Sequence, residues 1–160
     1  MTHILWRIAT EAKTYSAADL SGKGAEASGG RWNAPGIPMV YTSESRALAC
    51  LETLVHLNAG GLPFNRYLVE ISVPDAVWKA AERLDAQRPV GWDAEPAGQA
   101  SIGFGTDWAR QRRSALLLVP SAIVPEEYNG LINPAHTDAA LITARPLRKW
   151  HYDPRLALRR

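Results

Sequence analysis

The chain reads as an α+β protein on three observations. Its clearest periodicity is a two-residue alternation in Tyr67-Leu-Val-Glu-Ile-Ser-Val73, which puts Tyr67, Val69, Ile71 and Val73 on one face of a strand. Ala115-Leu-Leu-Leu-Val119 is an unbroken apolar run of strand length that ends at Pro120. Helical spacing is confined to a few short stretches that do not alternate regularly with the strands, which argues against a doubly wound parallel sheet. At 160 residues, with 46% hydrophobic and 21% charged residues, the chain has the size and composition of one globular domain spanning 1–160.

The elements follow in chain order. Ile4-Leu-Trp-Arg-Ile8 has the composition of a first strand. Residues 11–36 are rich in Gly, Ser and Ala without sustained period, so they read as a long loop with one helical turn. A loop of that length in a compact domain points to function. Ile37 to Thr42 is a second strand, with Pro38 placing it at an edge or a beginning. Thr42 or Ser43 is suited to cap the helix that follows. In that helix Ala47, Leu48, Leu51, Leu54 and Val55 form an apolar stripe. Glu52 lies on the border of the stripe with His56 one turn further on, and Asn58-Ala-Gly-Gly61 is a stop signal. After the strand at 67–73, Val77 to Leu84 reads as a short helix, 85–100 as loop and Thr106 to Ser114 as helix. Ser121 to His136, with its prolines and asparagines, reads as loop. Leu141-Ile-Thr143 and a last strand at Pro146-Leu-Arg-Lys-Trp150 precede a basic tail.

Composition narrows the function classes. A net charge of +2 gives no global attraction to nucleic acid or to acidic membranes. The basic residues gather at Arg110 to Arg113, Arg145 to Lys149 and Arg155 to Arg160, and such runs are ordinarily solvated faces. The lone Cys50 sits in an apolar helical pattern and excludes an intramolecular disulfide or a multi-cysteine metal site. The four histidines match no metal-ligand spacing, so no metal is expected. No apolar run has the length of a membrane span, and the first residues lack a signal-peptide pattern, so a cytoplasmic protein is expected.

The stretch Ser28-Gly-Gly-Arg-Trp-Asn-Ala-Pro-Gly36 through Glu52 carries the chemistry. Gly29-Gly30 allows a tight turn and close approach of a ligand. Arg31 offers a planar fork of donors for phosphate or carboxylate. Tyr41, at a strand end before a helix, is placed to stack on a flat ring. Glu52 is suited to bind sugar hydroxyls and to stabilise a cation at an anomeric carbon. Arginine, aromatic and carboxylate together suit a dinucleotide such as NAD. Plain structural roles stay open for each: a solvated turn arginine, a core tyrosine, and a surface Glu52–His56 pair at i,i+4. Ser121, after Pro120, either donates into a site or starts a turn. It lacks the G-x-S-x-G setting of a hydrolase nucleophile. No nucleotide-binding glycine fingerprint is present.

The order of several short motifs resembles the RES-domain family, named for an Arg-Glu-Ser trio. They are Trp6-Arg7-Ile8, Gly29-Gly-Arg-Trp-Asn33, Val40-Tyr-Thr-Ser43, Leu51-Glu-Thr-Leu-Val-His56, Val119-Pro-Ser121, Asn129-Gly-Leu-Ile-Asn-Pro-Ala-His136 and Tyr152-Asp-Pro-Arg-Leu156. The resemblance places the trio on Arg31, Glu52 and Ser121, an active-site tyrosine on Tyr41 and a second pocket arginine on Arg7. It implies a fold similar to bacterial ADP-ribosyltransferase toxins, with NAD as substrate in a cleft between two small sheets and no metal. It further implies a toxin that breaks the nicotinamide–ribose bond and is paired with a helix-turn-helix, Xre-like antitoxin. In that setting Ser121 contacts the nicotinamide-ribose portion or orients Glu52. Gly130 departs from the family pattern and leaves the role of the Asn129 segment open. The function expected first is consumption of free NAD by hydrolysis or phosphorolysis; the alternatives are ADP-ribosylation of a host protein and, from another class, a non-catalytic nucleic-acid-binding module.

Overall fold

The computed structural model describes residues 1–57, 61–84 and 88–157. Within them the chain forms β1 (Thr2–Thr10), α1 (Lys23–Ser28), β2 (Val40–Ser43), α2 (Arg46–Leu54), β3 (Arg66–Pro74), α3 (Asp75–Lys79), β4 (Glu82–Arg83), α4 (Gln99–Arg110), β5 (Leu116–Pro120), β6 (Tyr128–Ile132) and β7 (Thr143–Lys149). The α+β reading is correct. The seven strands lie in the order β4-β5-β6-β2-β1-β3-β7. Only β4 and β5 run parallel among the pairs formed. No helix among the described residues is long and apolar enough to cross a membrane.

In place of two small sheets there is one hydrogen-bonded sheet, nearly divided at its middle. β1 pairs with β3 along its whole length, from Thr2↔Pro74 to Thr10↔Arg66. It meets β2 at a single position, Trp6↔Ser43. The reason is local: Ser43 is the last residue of the short β2, and Ser45 already caps α2 by accepting the Leu48 N–H at 3.1 Å. Neither Thr42 nor Ser43 caps the helix. The Thr42 hydroxyl donates to the Gly130 carbonyl and the Ser43 hydroxyl to Asn129.

The strand period distributes side chains between two faces and three cores. One face carries a continuous core across both halves of the sheet, built from Leu5, Val69, Ile71, Val73, Leu116, Leu118 and Ile132. On the opposite face the core is interrupted. Trp32, Trp108, Leu117, Val119 and Leu131 form one cluster with α4, while Trp6, Ile8, Ala49, Leu68 and Tyr152 form another with α2. Between these two clusters, over the β1–β2 seam, the sheet is left uncovered by apolar packing.

Several elements depart from the sequence reading, among them the second strand, which begins at Val40 and not at Ile37 and ends at Ser43. The segment read as loop from Ser121 to His136 contains β6, which pairs with β2 and β5. Gly130 sits within that strand because a Cβ there would come within 2.7 Å of the Leu5 side chain and of the Thr42 hydroxyl. It marks close packing in place of loop flexibility. The helix expected from Thr106 begins at Gln99, and Gly105 lies inside it where any Cβ would collide with the Trp32 carbonyl. The helix expected over Val77–Leu84 spans only Asp75–Lys79 and gives way to β4. β7 tolerates Pro146 because it is an edge strand, and a bulge opposite Leu68/Val69 absorbs Leu147. The expected stop at Asn58-Ala-Gly-Gly61 lies largely outside the described residues, as does the end of the basic tail.

Candidate functional site

A cavity of about 1020 Å³ opens over the β1–β2 seam, at the upper end of the size range for small-molecule sites. Arg7, Arg31, Tyr41 and Glu52 all line it, together with Trp6, Ser43, Asn129 and His56. The sheet register explains part of the grouping. Trp6 pairs with Ser43 and Ser43 with Asn129, so residues of β1, β2 and β6 form one cross-strand row on the uncovered face. Ser121 does not line the cavity; it is fully buried behind Glu52.

Glu52 reaches this place through a rotation of α2 away from the stripe its sequence suggests. Leu48 and Ala49 are buried and Glu52 and Thr53 half-buried, whereas Leu51 and Val55 are 40% and 60% exposed. Polar contacts on the inward side hold that orientation: the Thr53 and Tyr152 hydroxyls lie 2.7 Å apart, and Glu52 is bonded from two strand ends. The Ser121 hydroxyl donates to Glu52 Oε1 at 2.7 Å, and Asn129 Nδ2 donates to the same oxygen at 2.8 Å. No Glu52–His56 pair forms. Among the described residues Oε2 receives no hydrogen bond, and it is the oxygen left for a ligand.

A hydroxyl has one proton and two lone pairs. In Ser121 the proton goes to Glu52, while the lone pairs accept the backbone N–H groups of Ile123 and Val124, each at 3.1 Å. The group is saturated. Of the two roles open to Ser121, the geometry serves orientation of Glu52 and leaves no proton for a ligand.

The glycine turn is tied to β2 through Tyr41. Its hydroxyl donates to Asn33 Oδ1 at 2.6 Å and accepts the Trp32 N–H at 3.0 Å. Asn33 is fully buried and donates to the carbonyls of Ala25, Ala34 and Ile37. Burial pushes the Tyr41 phenol far above its usual range, so it stays neutral. Gly30 is required because a Cβ would come within 2.6 Å of the Tyr41 hydroxyl. Tyr41 thus anchors the turn that carries Arg31 while its ring remains on the cavity wall.

Arg31 is engaged by the segment before α4. Its guanidinium donates to the carbonyls of Trp92 and Ala94 at 3.2 and 2.7 Å and to the Glu95 carboxylate at 2.9 Å. Glu95 itself is 84% exposed. Arg7, on β1, donates only to the Asp19 carbonyl at 3.3 Å and, weakly, to the Tyr15 hydroxyl at 3.5 Å. Among the described residues it has no carboxylate partner. Elsewhere one arginine of each basic cluster has a carboxylate partner: Arg113 forks onto Glu82, Arg145 pairs with Glu70 and Arg155 with Asp153.

Two site residues carry no role in the sequence reading: Ser43 and Asn129. Apart from lying within two of the family motifs, Ser43 appears there as a possible helix cap and Asn129 within a segment read as loop. The Tyr41-Thr-Ser43 spacing, which puts Tyr41 and Ser43 on one strand face, was the available signal for Ser43. For Asn129 the signal was its place in a family motif, since β6 lacks an apolar alternation to reveal it as a strand.

Comparison with known proteins agrees with the resemblance. The RES domain model matches residues 4–155. The chain is 66% identical over 157 residues to a protein of Sphingobium sp. (strain YBL2) named "Prs ADP-ribosylating toxin", covering 98% of each chain. It is 37% identical over 155 residues to "Toxin Res" of Yersinia enterocolitica, covering 96% of this chain and 99% of that one. It is 40% identical over 138 residues to "Toxin Res" of Pseudomonas putida, covering 85% and 88%. With five of the seven family motifs contributing residues to one cavity and matches extending over nearly its full length, the chain belongs to the RES-domain family.

Proposed function

We propose that the protein is a toxin that cleaves the nicotinamide–ribose bond of NAD and transfers the ADP-ribose to a protein. The observation that carries the chemistry is the Glu52 carboxylate, pinned through one oxygen by Ser121 and Asn129 on the wall of a cavity that also holds Arg7, Arg31 and Tyr41. Breaking this bond needs no general acid, because the bonding electron pair neutralises the nicotinamide ring as it leaves. The site must instead stabilise the cationic, oxocarbenium-like ribose, and a fixed carboxylate does so without reorganising at the moment of reaction. The acceptor then forms the new bond to the anomeric carbon and loses its proton. Arg7 and Arg31 hold the pyrophosphate, which fixes the ribose against Glu52. Tyr41 presents its ring to the nicotinamide.

Transfer to a protein is placed ahead of free NAD consumption because of the name of the 66% identical relative, and Prs is the acceptor that name suggests. Hydrolysis or phosphorolysis of free NAD uses the same pocket with water or phosphate as acceptor. As a toxin, the protein is expected to be held by a cognate helix-turn-helix antitoxin. Leu51 and Val55, exposed on α2 beside the cavity, offer apolar surface for such cover. Nucleic-acid binding is not favoured, since the net charge is only +2 and one arginine of each basic cluster is paired with a carboxylate.

The test is to incubate the purified protein with NAD labelled in its ADP-ribose, alone, with phosphate, and with purified Prs. Label on Prs together with nicotinamide release is the expected result. Release without any protein acceptor moves the reading to NAD depletion. No release under any of the three conditions overturns it. In cells, expression is expected to arrest growth, and Glu52→Ala to relieve the arrest.

A further inference from the structure

We infer that Asn129, oriented by Ser43, is a positioning residue for the reaction, a second clamp on Glu52 that the Arg-Glu-Ser trio does not include. The inference rests on Glu52 being the carboxylate that acts in that reaction.

The orientation of the Asn129 amide is fixed by chemistry. An ionised carboxylate only accepts hydrogen bonds, so the group facing Glu52 Oε1 at 2.8 Å must be the NH₂ end. The carbonyl end, Oδ1, then faces Ser43, whose hydroxyl donates to it at 2.8 Å. Ser43 and Asn129 are directly opposed across the β2–β6 ladder, and both are buried. The result is a short directional chain in which Ser43 donates to Asn129 and Asn129 donates to Glu52.

Glu52 needs such a clamp because its own helix holds it weakly. α2 has nine residues, and its fully buried contacts come from Leu48 and Ala49, about one turn before Glu52. A glutamate has three rotatable side-chain bonds, and a carboxylate misplaced by about 1 Å can cost about 100-fold in rate. Ser121, just past β5, and Asn129, in β6, grip the same oxygen from two adjacent strands. Two donors from the rigid sheet fix the direction of the carboxyl group, which a single donor leaves free to swing about one bond. Both bonds fall on Oε1, so Oε2 keeps its lone pairs for the ribose.

The experiment measures nicotinamide release with NAD and the acceptor protein for the native chain and for Asn129→Ala, Asn129→Asp, Ser43→Ala and Glu52→Ala, with thermal melts of each. Asn129→Ala is expected to lower kcat about 10- to 100-fold with KM changed less than about 2-fold. Asn129→Asp, of the same size but with an acceptor facing Glu52, should lose at least as much. Ser43→Ala should lose about 3- to 10-fold, as the amide is no longer held. In the Glu52→Ala background, Asn129→Ala should change the residual rate by less than about 2-fold, because its effect runs through the carboxylate. A folded Asn129→Ala protein with native kcat overturns the inference. So does an equal loss from Asn129→Ala with and without Glu52. If Asn129→Ala fails to fold, Ser43→Ala and Asn129→Asp decide by the same measures, and native kcat in both overturns it. Failure of the underlying reading looks different: native and Glu52→Ala proteins then release nicotinamide equally, or neither does.

Discussion

The Glu52 carboxylate and the Arg31 guanidinium line the same cavity and are held in contrasting ways. Glu52 is gripped by buried side chains of the sheet, Ser121 and Asn129, which are themselves fixed by the Ile123 and Val124 N–H groups and by Ser43. Arg31 is gripped by a solvent-facing segment: two main-chain carbonyls and the carboxylate of Glu95, which is 84% exposed. A buried network whose donors are themselves held in place is rigid, and a surface ion pair is readily exchanged. In the proposed reaction the carboxylate is therefore preorganised for a charge that exists only in the transition state. The arginine rests against a carboxylate that a substrate phosphate can replace. In kinetic terms, damage around Glu52 should appear in kcat and damage around Arg31 in KM.

The largest effect expected is that of Glu52→Gln. The amide keeps the size and can still accept from Ser121 and Asn129 through its oxygen, so the fold should be retained and only the charge lost. kcat should fall on the order of 10²- to 10³-fold with KM little changed. Steady-state kinetics of nicotinamide release checks this, and a matching rise in KM would break the division of labour. Ser121→Ala comes next. It removes one of two donors to Oε1 and leaves the Ile123 and Val124 N–H groups without their acceptor. A kcat loss of about 10- to 100-fold should accompany a stability loss of about 1–3 kcal/mol, read by urea unfolding. Arg31→Ala should behave differently, raising KM for NAD about 10- to 100-fold with kcat nearly native. Titration of initial rates against NAD separates the two outcomes.

The same contrast marks what could be read in the sequence. The strand at Tyr67–Val73, the apolar strand before Ser121 and the glycine turn with Arg31 are local patterns, and local patterns survive into the fold. The Glu52 clamp is not local. Periodicity placed Glu52 at the border of an apolar stripe, yet α2 turns so that Leu51 and Val55 face outward and Glu52 faces the sheet. That rotation is decided by partners at 121, 129 and 152, far away in sequence. β6 was hidden for a related reason. Asn129 and Gly130 are poor strand formers in isolation, and Gly130 is required only because Leu5 and Thr42 pack against it. Gly105 likewise weakens the helical signal of α4 in order to admit the backbone of Trp32. Ser121 stood out after Pro120 with its role open, the resemblance placed it in the trio, and the fold puts its hydroxyl on Glu52. Ser43 and Asn129 each lie in a family motif, but only the cross-strand register shows that they pair.

The smallest effect expected runs in the opposite direction and tests the exchangeable side of the contrast most directly. Glu95→Gln keeps the side chain but removes the charge that pairs with Arg31. If Glu95 competes with substrate phosphate for the guanidinium, its neutralisation should tighten binding and leave the Glu52 network untouched. An exposed ion pair is worth up to about 1 kcal/mol, which sets the gain at up to about 5-fold in KM. kcat should stay native, and melting temperature should move by no more than about 4 °C, the most that an exposed pair worth up to about 1 kcal/mol supports. Salt provides an internal control. Raising ionic strength screens the Arg31–Glu95 pair and the Arg31–phosphate contact alike, so the KM ratio between native and Glu95→Gln proteins should shrink as salt rises. A Glu95→Gln protein with raised KM would show that the carboxylate supports the arginine in its binding position instead of occupying it. Arg31 would then be as preorganised as Glu52, and the contrast between the two sides of the cavity would disappear.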